Sequence, residues 1–470
     1  MAPLNTDDPA FMPLTVLSQA IGAGTISSVE LVDRLLTRID AHDDKLHAFV
    51  TVYGDDARLA AEGADKAIRS GHKIGPLHGI PIAIKDIVDI EGRITTGGSK
   101  AWINRVSPVT ATLVKRLVSA GMIVLGKTHS VEFAMGGWGT NQHMGTPWNP
   151  WDLNTHRTPG GSSAGSGVSV AAGLAPCAIG TDTGGSVRLP ASWCGLTGLK
   201  TTIGRISVHG VLPLSSTLDT PGPMTRTVED AALLYNVLAG PDPKDPLTLR
   251  HPVTDPLPTM RQGVAGLRLA VMPESERDGV DAEILTAYDN SVEMLRSLGA
   301  QIVTVSLPRP FAKLGAATGR IIGAEGYFFV GDLVDQPELS IDEAVRPRIW
   351  VGKGMSAQDY LKALKTQQEI KAEFDAALAD ADAFLMPTTA TAAIPLDAVD
   401  QNDTPAMFTR VANLLERCAV SLPNGFTAGG LPSSLQIMCR GYNEAMALRI
   451  GWAYEQATDW AGRIPPNLET

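Results

Sequence analysis

Apolar residues first recur at helical spacing over residues 28–40. Leu31, Val32, Leu35, Leu36 and Ile39 share one face behind the capping box Ser27-Ser28-Val29-Glu30. An alanine-rich stretch over 56–70 predicts a second helix. The period then changes. Gly79-Ile-Pro-Ile-Ala-Ile-Lys85-Asp86 is a short apolar run ending in charge, the pattern of a buried strand that delivers Lys85 at its tip. Further helices are predicted over 112–120, 281–298 and 444–458, and strands over 122–125, 267–272, 301–307, 382–389 and 434–439. Residues 311–368 read as mostly helical, and 424–433 is glycine-rich. Strands and helices alternate throughout, which predicts an α/β fold around a largely buried mixed sheet.

Between 135 and 210 the chain is rich in Gly, Ser and Thr and poor in charge. That composition suits a linker, but Val168-Ser-Val-Ala-Ala-Gly and Ala175-Pro-Cys-Ala-Ile-Gly interrupt it as a buried helix and a buried strand. These glycines are therefore expected inside a core, where backbones approach closely.

The 470 residues are 44% hydrophobic and 19% charged, a globular composition. Thirty-nine Lys and Arg against 50 Asp and Glu leave a net charge of −11, with no basic run. Nucleic acid is thus not an expected partner. Cys177, Cys194, Cys418 and Cys439 form no C-x-x-C pair, and the nine histidines no H-E-x-x-H. Neither a metal nor any other cofactor is called for. The N-terminal Met1-Ala-Pro-Leu-Asn-Thr-Asp-Asp carries no basic, apolar leader, and no stretch approaches the roughly 18 apolar residues of a spanning helix. A cytoplasmic protein without a membrane partner is the expectation, with a homodimer as the default oligomer.

Two glycine-serine clusters stand out, Pro159-Gly-Gly-Ser162-Ser163-Ala-Gly-Ser and Gly180-Thr-Asp182-Thr183-Gly184-Gly185-Ser186-Val-Arg188-Leu-Pro, with Ser162 and Ser186 24 positions apart. Neither ends in the G-K-[ST] of a phosphate-binding loop. Gly161-Ser162-Ser163-Ala164-Gly165 matches G-x-S-x-G, but a Thr-Pro-Gly turn precedes it instead of an apolar strand, and only His209 and His251 follow. Tight turns alone are a third reading. The fourth is a serine hydrolase whose base is a lysine held neutral by its surroundings, with Lys85 as the candidate.

The three segments, G-I-P-I-A-I-K-D, P-G-G-S-S-A-G-S and G-T-D-T-G-G-S-V-R-L-P, in this order and spacing, resemble the amidase signature family. The resemblance continues through Gly198-Leu-Lys-Thr-Thr, Asp219-Thr-Pro-Gly-Pro-Met-Thr-Arg and Gly430-Leu-Pro-Ser-Ser-Leu-Gln436. It implies one amidase signature domain over 1–470, a mixed sheet sandwiched between helical layers. Core motifs fall at 75–230 and 380–460, and the variable region at about 240–380. It further implies a Ser–cis-Ser–Lys triad, with Ser186 as nucleophile, Ser162 as bridge on a cis peptide and Lys85 as base. The N–H groups of Thr183, Gly184, Gly185 and Ser186 would form the oxyanion hole, and Met135, Gly136 and Trp138 would line the pocket. Ser163 and Asp182 are expected to tie the loops together. Arg188 is open to a substrate carboxylate or a structural acid, and Trp138 equally to pocket or core.

The activity implied is hydrolysis of a small-molecule amide through an acyl-enzyme. The glycines and Trp138 suggest an uncharged aryl or alkyl amide, anilide, carbamate or hydrazide. The alternative is the glutamine-hydrolysing component of a glutamyl-tRNA amidotransferase, its A subunit. Against it, residues 352–371 only partly resemble that component's glutamine-gripping region and lack its paired tyrosines. A noncatalytic binding module is the third option, disfavoured because Lys85, Ser162 and Ser186 are all present.

Overall fold

A computed structural model describes residues 8–468; of the N-terminal stretch read above, all but Asp8 lies outside them. Eleven strands form one sheet: β1 (Phe49–Val52), β2 (Pro81–Lys85), β3 (Ile123–Thr128), β4 (Ala178–Asp182), β5 (Thr197–Lys200), β6 (Thr220–Thr225), β7 (Arg268–Val271), β8 (Gln301–Thr304), β9 (Ala383–Pro387), β10 (Cys418–Phe426) and β11 (Pro432–Cys439). Their order is β1-β3-β2-β4-β6-β5-β10-β11-β9-β7-β8. Pairing is parallel among β3, β2 and β4 and among β9, β7 and β8, and antiparallel elsewhere, so the sheet is mixed as expected. In β2, β4, β6, β9 and β11 every residue is buried, which requires cover on both faces. Among the described residues no helix is long and apolar enough to cross a membrane.

Helices form where spacing and caps agree. Ser27 and Glu30 close the capping box in both directions, and the helix they start runs Ser28–Leu46 with Leu31, Val32, Leu35 and Leu36 buried. It outruns the predicted 28–40, up to a left-handed cap at His47. The glycine-rich segment is core, as its interruptions implied: every residue of helix Ala164–Ala171 is buried. The glycine-rich segment 424–433 holds the ends of two strands. β10 continues to Phe426 and β11 starts at Pro432, leaving a short turn between two strands paired over almost their whole length.

Candidate active site

Lys85 ends β2 and Thr181 lies on β4, the neighbouring strand. The Lys85 Nζ is fully buried and donates to Ser162 Oγ at 2.7 Å and to Thr181 Oγ1 at 2.8 Å. Among the described residues no salt bridge joins it to a carboxylate, whereas Lys127 on β3 donates to Asp86 at 2.7 Å. Burial pulls the Lys85 ammonium down to about 7, against the opposing pull of Asp219 and Asp182. This lysine is therefore partly neutral at neutral pH, and hydroxyls are its hydrogen-bond partners.

Ser162 stands just before helix Ala164–Ala171, and the Gly161–Ser162 peptide is cis. The two glycine-serine clusters are joined by Ser163: its N–H donates to Ser186 O at 3.3 Å, and its Oγ accepts from Thr181 N at 3.2 Å. Ser186 follows β4 on the turn into helix Arg188–Trp193. It lines a cavity of about 80 Å³ that also touches Met135, Gly136, Thr183, Gly184, Arg348 and Arg410. Among the described residues the Ser186 hydroxyl has no hydrogen-bond partner, and no bond links it to Ser162 Oγ.

Asp182 organises the turn. Its carboxylate accepts from Gly185 N at 2.8 Å and Val187 N at 3.2 Å, and takes Arg188 on both oxygens at 2.9 and 2.8 Å. Burial alone would raise this carboxyl, but the charge and hydrogen bonds of Arg188, then Lys200 and Asn413, hold it at about 2. Arg188 also donates to Thr409 O, Gln436 Oε1 and Asn413 Oδ1, so all five of its donors are engaged. Of its two expected roles, the structural one is what the geometry holds.

Gly185, expected as a fourth oxyanion donor, gives its N–H to Asp182 and does not line the cavity. Thr183, Gly184 and Ser186 do line it, and their N–H groups have no protein acceptor among the described residues. Thr183 is fixed through its hydroxyl, which donates to Asp219. Burial pushes the Asp219 carboxyl up to about 6, against hydrogen bonds from Thr183, Ser215 and Leu214.

Trp138, open to pocket or core, stacks on Trp193 at 5.6 Å with Ala393 beside it. It is absent from the wall that Met135 and Gly136 share, but lines a neighbouring cavity of about 430 Å³ with Asp403, Thr404 and Arg410. The wall carries charge, Arg348 and Arg410 with Asp403, where an uncharged substrate was expected. Thr181 and Asp219 stood inside quoted motifs without a role, and Arg410 stood outside every motif. The available signal for Arg410 was an arginine inside Phe408-Thr-Arg-Val-Ala-Asn-Leu-Leu, an otherwise uncharged stretch.

A family model described as Amidase matches residues 30–448. The A subunit of the glutamyl-tRNA(Gln) amidotransferase of Trichlorobacter lovleyi is 38% identical, covering 94% of this chain and 96% of its own. Among solved structures, a chain from a vestigial protein complex tied to the evolutionary origins of an s-triazine catabolic enzyme superposes with a TM-score of 0.89. It shares 31% identity and covers 95% of this chain and 99% of that one. The peptide amidase of Stenotrophomonas maltophilia superposes with a TM-score of 0.87 at 29% identity, with both chains fully covered.

Proposed function

The chain belongs to the amidase signature family, an enzyme family acting on C–N bonds, and from that premise we propose that it hydrolyses a small carboxamide through an acyl-enzyme on Ser186. The observation that carries this reading is a buried Lys85, with its ammonium drawn down to about 7, bonded to Ser162 Oγ at 2.7 Å beside the cavity that Ser186 lines. In the neutral amine, Nζ keeps one proton on Thr181 Oγ1 and turns its lone pair to the Ser162 hydroxyl. Ser162 passes its proton to Nζ and takes the Ser186 proton as Ser186 Oγ attacks the carbonyl carbon. The oxyanion meets the N–H groups of Thr183, Gly184 and Ser186. The proton returns through Ser162 to the leaving nitrogen as the C–N bond breaks. Water then hydrolyses the ester by the same relay, releasing the acid and restoring Ser186. No step needs a metal.

Similarity at 38% identity across nearly the whole chain to the glutamyl-tRNA(Gln) amidotransferase protein favours glutamine as the amide and partner subunits as the setting, over a free-standing aryl or alkyl amidase. The lining arginines agree with a charged substrate. Peptide amidase similarity keeps a small-molecule amidase as the second reading. Affinity purification of the full chain from its own cells, with ammonia release from glutamine measured on the product, tests the choice. Glutaminase activity in a fraction holding stoichiometric partners is the expected result. A lone chain that cleaves simple amides and ignores glutamine would contradict the amidotransferase reading.

A further inference from the structure

The cavity beside Ser186 ends on a guanidinium that the protein leaves underused. Arg410 sits in the short helix Thr409–Leu414 and lines the cavity with Ser186 and Gly184. Its one hydrogen bond among the described residues runs from Nη1 to Gly315 O at 3.2 Å, and its buried Nε has no partner. Asp403 lines the same cavity and acts on Arg410 through its charge, but makes no salt bridge with it. The contrast with the neighbouring arginines is sharp: Arg188 satisfies all five donors, and Arg348 donates to Met135 O, Gln401 O and Gln401 Oε1.

Glycines flank the Arg410 side chain closely enough to locate it, a Cβ on each making ordinary contact with it. A Cβ on Gly315 or Gly319, on helix Phe311–Val334, would stand 4.0 Å from its Cδ or 3.7 Å from its Nη1. A Cβ on Gly184 would stand 3.5 Å from its Cγ and 3.8 Å from its Nε, so the guanidinium begins next to the turn that faces the scissile carbonyl. Its helix is latched to that turn: Thr409 Oγ1 donates to Gly184 O at 2.8 Å, and Asn413 Nδ2 to Asp182 Oδ1 at 2.9 Å. The position is therefore preorganised.

We propose that Arg410 is the carboxylate anchor of this site, and that the amide cleaved at Ser186 carries a carboxylate only a few bonds from its scissile carbonyl. The inference rests on the Ser186 reading above. A carboxylate supplies the acceptors that Arg410 lacks, in the forked geometry a guanidinium favours, and Arg348 adds a second positive charge to the same wall. Binding there orients the carbonyl towards the N–H of Gly184. An uncharged amide of the same length would leave Arg410 unpaired as water is excluded, so it should be a poor substrate.

The test compares succinamic acid with butyramide, its uncharged counterpart, on the full-length protein. Wild type should prefer succinamic acid in kcat/KM by at least about tenfold, and R410Q should cut that preference by roughly 10- to 150-fold, the range of one charge-assisted contact. R410K should restore part of it. Succinate binding to the Ser186→Ala protein, followed by calorimetry, supplies a readout independent of turnover and of the folding of Arg410 variants. Succinate should bind there. Equal preference in wild type, an unchanged ratio in folded R410Q, or no succinate binding would each overturn the anchor. Ser186→Ala turnover on either amide would instead sink the nucleophile reading, so the two failures are distinguishable.

Discussion

At the scale of single residues the chemistry turns on the protonation of Lys85. Its ammonium falls to about 7 because burial removes water, and only Asp219 and Asp182 oppose that loss. The neutral form is the base, so the fraction of competent enzyme grows as pH rises through about 7. We predict that kcat/KM climbs through that region and levels off above it, checked by a pH–rate profile. A profile flat from pH 5 to 9 would remove Lys85 as the base. Lys85→Arg should be inactive, because a guanidinium cannot shed its proton in this range. These polar residues were readable because the motifs carry them in fixed order. Arg410 was not, since a single charge outside the motifs carries no signal, and only folding shows which cavity it reaches; Asp219 stood inside a motif but without a role. For the same reason Trp138, close to Met135 and Gly136 in sequence, stands on the neighbouring cavity and not on their wall.

At the scale of elements, the turn after β4 depends on the helix Thr409–Leu414 packed against it. Gly185 has φ +138, and a Cβ there would lie 2.2 Å from Thr409 Oγ1. Gly185→Ala should therefore displace the helix, lower stability by more than about 2 kcal/mol and nearly abolish turnover. A melting curve together with an activity assay checks both effects. Thr409→Val keeps the shape and loses the bond to Gly184 O; it should cost about 1 kcal/mol of stability and lower kcat more than it changes KM. Helices with caps and apolar faces were legible in the sequence, as Ser28–Leu46 illustrates. β6, Thr220–Thr225, was not. It contains Pro221 and Pro223, which cannot donate to a ladder and read as loop. Their place between β4 and β5 is set by tertiary pairing, with Thr181 opposite Pro221 and Ile179 opposite Pro223.

Across the whole molecule, the sheet gathers residues that lie far apart in the chain: Lys85 from β2, the turn after β4, and the helix that precedes β10. The same packing buries charge away from the cavity. Glu455, in helix Glu444–Gln456, accepts from Val228 N at 2.8 Å, and burial pushes its carboxyl up to about 8, with Asp230 and Glu229 adding to the rise. Between the ordinary glutamate range and that value the folded chain keeps a proton the unfolded chain has lost, so this group's contribution to stability falls as pH rises. Glu455→Gln should consequently melt higher than wild type at pH 8, by a larger margin than at pH 5; an equal gap at both would contradict the assignment. The central claim is that Ser186 carries the acyl group while Lys85 acts through Ser162. It is tested most directly by mass spectrometry of product release from glutamine and a panel of simple amides, using wild type, Ser186→Ala and Lys85→Ala. Turnover by wild type that disappears in both variants is the predicted result, and turnover surviving in Ser186→Ala would contradict it.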